Sequence, residues 1–168
     1  MFQEYWSPFD IDGFCSVGDE IMELEETAKL KIREFLIMES SKFLDIPYEF
    51  GAEWTDFTKS PTTIDCSELF EGLFHRAGLN LPDGSQNQYN DTISAKFPKP
   101  GDLAFFGRGG KENRIYHVGM LYSNSDIIEA RGYQPTSSFE TGKVILRDRG
   151  KWEGYKNFLG YRCHKKLC

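Results

Sequence analysis

The order of patterns along the chain predicts an α+β fold, with N-terminal helices followed by a roughly five-stranded antiparallel sheet. Two observations carry this reading. Apolar residues recur at three- and four-residue steps in the first half, and short strand-like runs separated by turn residues fill the second. A third sets the scale: 168 residues, with 14 Phe and 8 Tyr, suit one compact body with a real core.

The elements follow in order. Ile21, Leu24, Ala28, Ile32, Phe35 and Leu36 form the apolar stripe of a first helix, which starts at Asp19 and must end before Pro47. Acidic residues crowd its start and Lys29, Lys31 and Arg33 come later, the order that suits the helix dipole. Pro47, Gly51 and Pro61 punctuate a loop. A second helix begins close to Cys66, carries Leu69, Phe70, Leu73, Phe74 and Ala77, and stops at Gly78. After a turn at 82–85 comes a short polar helix over 85–94. Strands are expected at 102–106, 115–122, 126–130, 143–147 and 158–163, with Ser123-Asn124-Ser125 turning the second into the third.

Composition narrows the partners. A net charge of −6 argues against duplex nucleic acid, whose binding needs clustered Lys and Arg. No apolar window reaches the length of a membrane span, so no membrane partner is expected. Residues 1–6 lack the basic, then apolar, pattern of a signal peptide. The expectation is synthesis in the cytoplasm, with some other route if the substrate lies outside. Cys15, Cys66, Cys163 and Cys168 contain no CxxC pair, and Cys163-His164 is half a metal site without its other half. No metal is expected. Cys163 reads as a core residue and Cys168 as a terminal thiol.

Cys66 lies at a loop-to-helix junction, in Asp65-Cys66-Ser67. A thiol there feels unpaired N–H groups and the positive end of the helix dipole, which favour thiolate and can bind an oxyanion. The competing reading is a buried structural cysteine. His117 sits in a strand whose alternation puts 115, 117 and 119 on one face, where it is either the base for Cys66 or an edge residue at the surface. Glu129 on the next strand can approach it across a hairpin and orient the ring, or be an ordinary exposed carboxylate. His75 is excluded as the base, since it lies nine residues beyond Cys66, more than two turns along the helix.

Seen together, these segments resemble the NlpC-type papain-like peptidases of bacterial cell walls. Pro47-Tyr48-Glu49-Phe50-Gly51 resembles the family's Pro-Tyr-x-Trp-Gly loop, and Asp65-Cys66-Ser67-Glu68-Leu69 its Asp-Cys-Ser-Gly-Leu nucleophile motif. Ala77-Gly78-Leu79, Pro100-Gly101-Asp102-Leu103, His117-Val118-Gly119-Met120, Ile127-Ile128-Glu129-Ala130 and Phe158-Leu159-Gly160-Tyr161-Arg162 resemble later family segments in the same order. The resemblance implies a papain-like core over 45–168, with 1–44 as an N-terminal extension packed on it. In that core Cys66 attacks an amide carbonyl, His117 is base then acid, and Glu129 orients it. It further implies oxyanion binding by Tyr48 and the Cys66 amide, and substrate contacts from Asp65, Ser67 and Ser85. The implied substrate is a peptidoglycan stem peptide, cut between D-glutamate and the diamino acid, with no cofactor. Set beside that substrate, the missing signal pattern suggests delivery by a larger machine, a phage tail or a secretion system, or equally a cytoplasmic enzyme that trims recycled wall fragments. A papain-like amidase or acyltransferase, or a structural module that keeps the fold without turnover, is the alternative. Two departures stand out: Glu129 replaces the more usual His, and Glu68 replaces a small residue, so that it either opposes the thiolate or points outward.

Overall fold

The computed structural model describes residues 17–132 and 142–168; Cys15 and the aromatic N-terminal segment lie outside them. The described helices are α1 (Val17–Ser41), α2 (Cys66–Arg76), α3 (Ser85–Asp91) and α4 (Arg149–Glu153). The strands are β1 (Thr92–Ser94), β2 (Leu103–Gly107), β3 (Ile115–Leu121), β4 (Asp126–Arg131), β5 (Lys143–Asp148) and β6 (Phe158–His164). They form one antiparallel sheet in the order β1-β6-β2-β3-β4-β5.

Both ends of α2 are set by local chemistry. Asp65 is the N-cap, its Oδ1 accepting from the Ser67 and Glu68 amides at 2.9 and 3.0 Å. At the other end Gly78 takes φ +74°, the Gly78 amide donates to His75 and the Leu79 amide to Phe74, closing a Schellman motif. Between them Leu69, Phe70, Leu73 and Phe74 are fully buried, each contributing about 1.5–3 kcal/mol of apolar burial. They pack on Phe105, Val118, Met120, Ile128 and Ala130, one face of the sheet. The opposite face carries a smaller core of Ala104, Phe106, Leu121, Ile127 and Tyr161 around Trp152 of α4.

The structure departs from the sequence expectation in four places. The sheet has six strands rather than five, because Thr92–Ser94 leaves the short helix and pairs with β6. Of the stripe on α1, Leu36 is buried but Ile21 and Leu24 are 51% and 70% exposed. The 25-residue helix is about 37 Å long and outruns the layer it packs on. Its second half is fastened by Arg33, which pairs with buried Asp102 at 2.8 Å and also donates to the Pro100 and Leu167 carbonyls. Cys168 is not a free terminal thiol. The Leu167 and Cys168 amides turn back to the His164 carbonyl, and Cys168 is disulfide-bonded to Cys163. Finally, strict alternation fails at the start of β3. Register with β2 slips between Phe106 and Gly107, so Ile115 joins the α2-side core while His117 faces Phe106 and Trp152. Among the described residues no helix is long and apolar enough to cross a membrane.

Candidate active site

Cys66 is the first residue of α2, 8% exposed. Asp65 takes up the Ser67 and Glu68 amides, and the Leu69 amide reaches the Asp65 carbonyl. The Cys66 amide is the one left over among the described residues, and it is the donor nearest its own sulfur in the chain. This is what an oxyanion hole needs: a fixed N–H with nothing else to bind.

Tyr48 stands across from it. Its amide donates to Gly142 at 2.8 Å, its backbone bridges Ile64, and its ring lies against Gly132, where a Cβ would come within 2.9 Å. Burial, then the charges at Cys66 and Asp65, push its hydroxyl up to about 12. The phenol therefore keeps its proton across the working range and remains a donor.

His117 lies between a sulfur and a carboxylate. Its Nε2 meets Glu129 Oε2 at 2.6 Å, which leaves Nδ1 for the thiol. Burial by itself would lower its pKa, but interactions with Cys66 and Glu129 outweigh that and push it up to about 10. The hairpin pairs Met120 with Ile128 and Leu121 with Ile127. Carried one step further, that register sets Glu129 beside Gly119, two residues from His117 on the same face, a diagonal pair.

Glu129 is 2% exposed, not a surface carboxylate. Besides His117 it accepts from Trp152 Nε1 and Arg147 Nη1, both at 3.3 Å, and Arg131 lies 3.9 Å away. Trp152 fits only because residue 119 is glycine; a Cβ there would sit 2.5 Å from the indole. Sequence reasoning missed Trp152, Arg147 and Arg131. The pairing of β4 with β5 was the signal that would have found Arg147, which stands opposite Ile127, two places from Glu129.

Glu68 resolves differently from either expectation. It is 8% exposed, so it does not point outward, and its Oε2 accepts from the Trp54 amide at 2.8 Å. Burial, offset in part by that amide and reinforced by Glu71 and Asp83, pushes its carboxyl up to about 7. A carboxyl that is substantially protonated near neutrality opposes a thiolate far less than a charged one. Glu68, Glu71 and Asp83 place oxygens within 4.8 Å of one another, the group among the described residues that could hold a cation. Ser67 donates its hydroxyl to Asp65 and is held from behind by Gln88, which donates to the Ser67 carbonyl at 2.9 Å. Ser85 opens α3, half-buried, and His75 is an exposed residue whose ring is tilted against Phe57.

The arrangement brings Tyr48, Asp65, Cys66, His117 and Glu129 together as the sequence proposed. Residues 45–147 match the model of the NlpC/P60 family. The probable endopeptidase p60 of Listeria innocua serovar 6a is 39% identical over 98 residues, 57% of this chain and 19% of that protein. The bifunctional muramidase/DL-endopeptidase CwlT of Bacillus subtilis is 36% identical over 93 residues, 54% of this chain and 27% of its own length. The chain thus spans about a fifth to a quarter of these curated relatives. Among solved structures, the P60 domain of an antigen from M. avium subspecies paratuberculosis superposes with a TM-score of 0.61 at 23% identity, covering 81% of this chain and 96% of that one. The match over more than half of its residues places the chain in the NlpC/P60 family.

Proposed function

We propose that this NlpC/P60 domain is a cysteine endopeptidase that cleaves peptidoglycan stem peptides at the bond between D-glutamate and the diamino acid. The observation that carries the reading is the pinned His117. Its ring is held on one side by Glu129 at 2.6 Å and interacts on the other with Cys66 at a helix start. Relatives of this chain are named a bifunctional muramidase/DL-endopeptidase and a peptidoglycan endopeptidase.

In this reading Cys66 gives its proton to His117 Nδ1, and the sulfur attacks the amide carbon. The carbonyl oxygen becomes an oxyanion that accepts from the Cys66 amide and the Tyr48 hydroxyl. As the tetrahedral adduct collapses, the C–N bond breaks and His117 passes its proton to the departing amine. The thioester left behind is hydrolysed by a water that His117 deprotonates, releasing the acid and restoring the thiol. Glu129 holds the ring in place and offsets its charge. Asp65 has spent one oxygen on the helix cap, and its other oxygen, with Ser67 and Ser85, serves the amino end of the substrate.

The purified protein should release new amino groups from a stem tetrapeptide, Cys66→Ala should abolish the release, and mass spectrometry of the products should locate the cut. If wild type and Cys66→Ala are equally inert between about pH 5 and 9, the peptidase reading fails.

A further inference from the structure

Bond cleavage leaves one part of the site unused. A cavity of about 530 Å³ opens beside His117. Tyr48, His117 and Glu129 line one part of it, and Arg108, Arg131, Arg147 and Lys156 contribute four further cations. Among the described residues that line it, Glu129 is the single carboxylate, in a chain whose net charge is −6. A local reversal of that size focuses a positive potential where a ligand would enter.

Two of the four cations are committed. Arg147 and Arg131 turn toward Glu129, and Arg147 also donates to the Tyr155 hydroxyl at 3.0 Å. The other two are not. Arg108 lies over the Tyr116 ring, 5.9 Å from its centroid, and Lys156 is exposed. Among the described residues neither has a carboxylate within ion-pair distance.

The position of the cavity says which half of a substrate it meets. His117 must hand its proton to the departing nitrogen, so the departing half lies on the imidazole side of the sulfur. The cavity is lined by His117 and by the chain around 155–157, and by no residue of α2. It faces the leaving group, on the side away from Asp65 and Ser67.

We propose that this cavity is a subsite for a carboxylate on the leaving-group half of the substrate, with Arg108 and Lys156 as the residues that select it. The inference rests on the peptidase reading and sharpens it. The preferred stem peptide is one whose diamino residue keeps a free acid rather than an amide. Arg108 supplies a planar fork for the carboxylate and Lys156 a mobile point charge. A carboxamide cannot satisfy either charge, and it leaves both cations facing a neutral group.

The test uses two peptides with the same scissile bond, differing only in a free carboxylate or a primary carboxamide on the leaving residue. Wild type should favour the acid by about tenfold to a hundredfold in kcat/KM. The ratio should shrink as salt is raised and approach unity in the Arg108→Gln/Lys156→Gln double variant. Calorimetry of Cys66→Ala protein with the two departing fragments reads the same preference without turnover. Equal rates on both peptides, or a ratio that survives in the double variant, overturns the subsite while the peptidase reading stands. Selective binding of the acid fragment with neither peptide cleaved keeps the subsite and sinks the peptidase reading. Absence of both cleavage and selective binding sinks both.

Discussion

Two glutamates flank Cys66 and His117, and the chain treats them in opposite ways. Glu68 and Glu129 are 8% and 2% exposed. Each touches a tryptophan, Glu68 through the Trp54 amide and Glu129 through the Trp152 indole N–H. Each tryptophan packs closely against a glycine: a Cβ at Gly72 would come within 2.1 Å of the Trp54 ring, and one at Gly119 within 2.5 Å of Trp152. What differs is charge. Glu129 is surrounded by His117, Arg147 and Arg131, whereas Glu68 faces Glu71, Asp83 and Asp65. Burial alone does not decide what a carboxyl does; its neighbours do. On the sheet wall the carboxylate meets cations and, in the proposed mechanism, orients His117. On the helix wall the carboxyl holds a proton into the neutral range and stays out of the thiolate's way.

The largest effect should come from breaking the sheet wall at its centre. His117→Ala should lower kcat/KM by about 10²–10⁴-fold while leaving the fold intact, read by kinetics alongside circular dichroism. A loss under tenfold would mean the base lies elsewhere. Glu129→Gln tests whether the charge, and not only the hydrogen bond, matters. His117 is raised to about 10 in part by that carboxylate, so the variant should move the alkaline limb of the rate profile to lower pH and cut kcat/KM by about 10²-fold. An unmoved limb would detach Glu129 from the base.

The glycine–tryptophan contacts come next. Gly72→Ala and Gly119→Ala should each destabilise the protein by about 1–3 kcal/mol, because the ring opposite must shift. Only Gly119→Ala should also depress kcat, since the displaced indole holds Glu129. Equal kinetic damage from both would erase the distinction between the walls. The smallest effect belongs to Glu68→Gln. Glu68 titrates at 4.5 unfolded and about 7 folded, so between these values the native state holds the extra proton. Its contribution is therefore fully present at low pH and falls away as pH rises from about 4.5 to 7. The variant should flatten that slope in denaturant midpoints taken at steps across the window; an unchanged slope would refute the raised value.

Most of the fold could be read from local chemistry. Asp65 as a cap, Gly78 as a stop and the turn at 123–125 are short-range signals, and the structure realises each where the pattern placed it. The candidate site was legible for the same reason, since Cys66 needs only a helix start and His117 and Glu129 only a hairpin. The sixth strand was not, because three residues with one apolar side chain become a strand only when β6 is there to pair with them.

The sequence by itself determined the class, the order of elements, Cys66 at its helix start and the residues gathered around it, all consequences of periodicity, capping and motif order. Only the tertiary structure decided what those groups experience. The slip at Tyr116 that turns Ile115 into the α2-side core, the closure of Cys168 onto Cys163, the two arginines behind Glu129 and the carboxyls beside Glu68 all join residues far apart or break a local period. Charge and burial act through space rather than along the chain, so the same residue type at two sites of similar burial ends with opposite tasks.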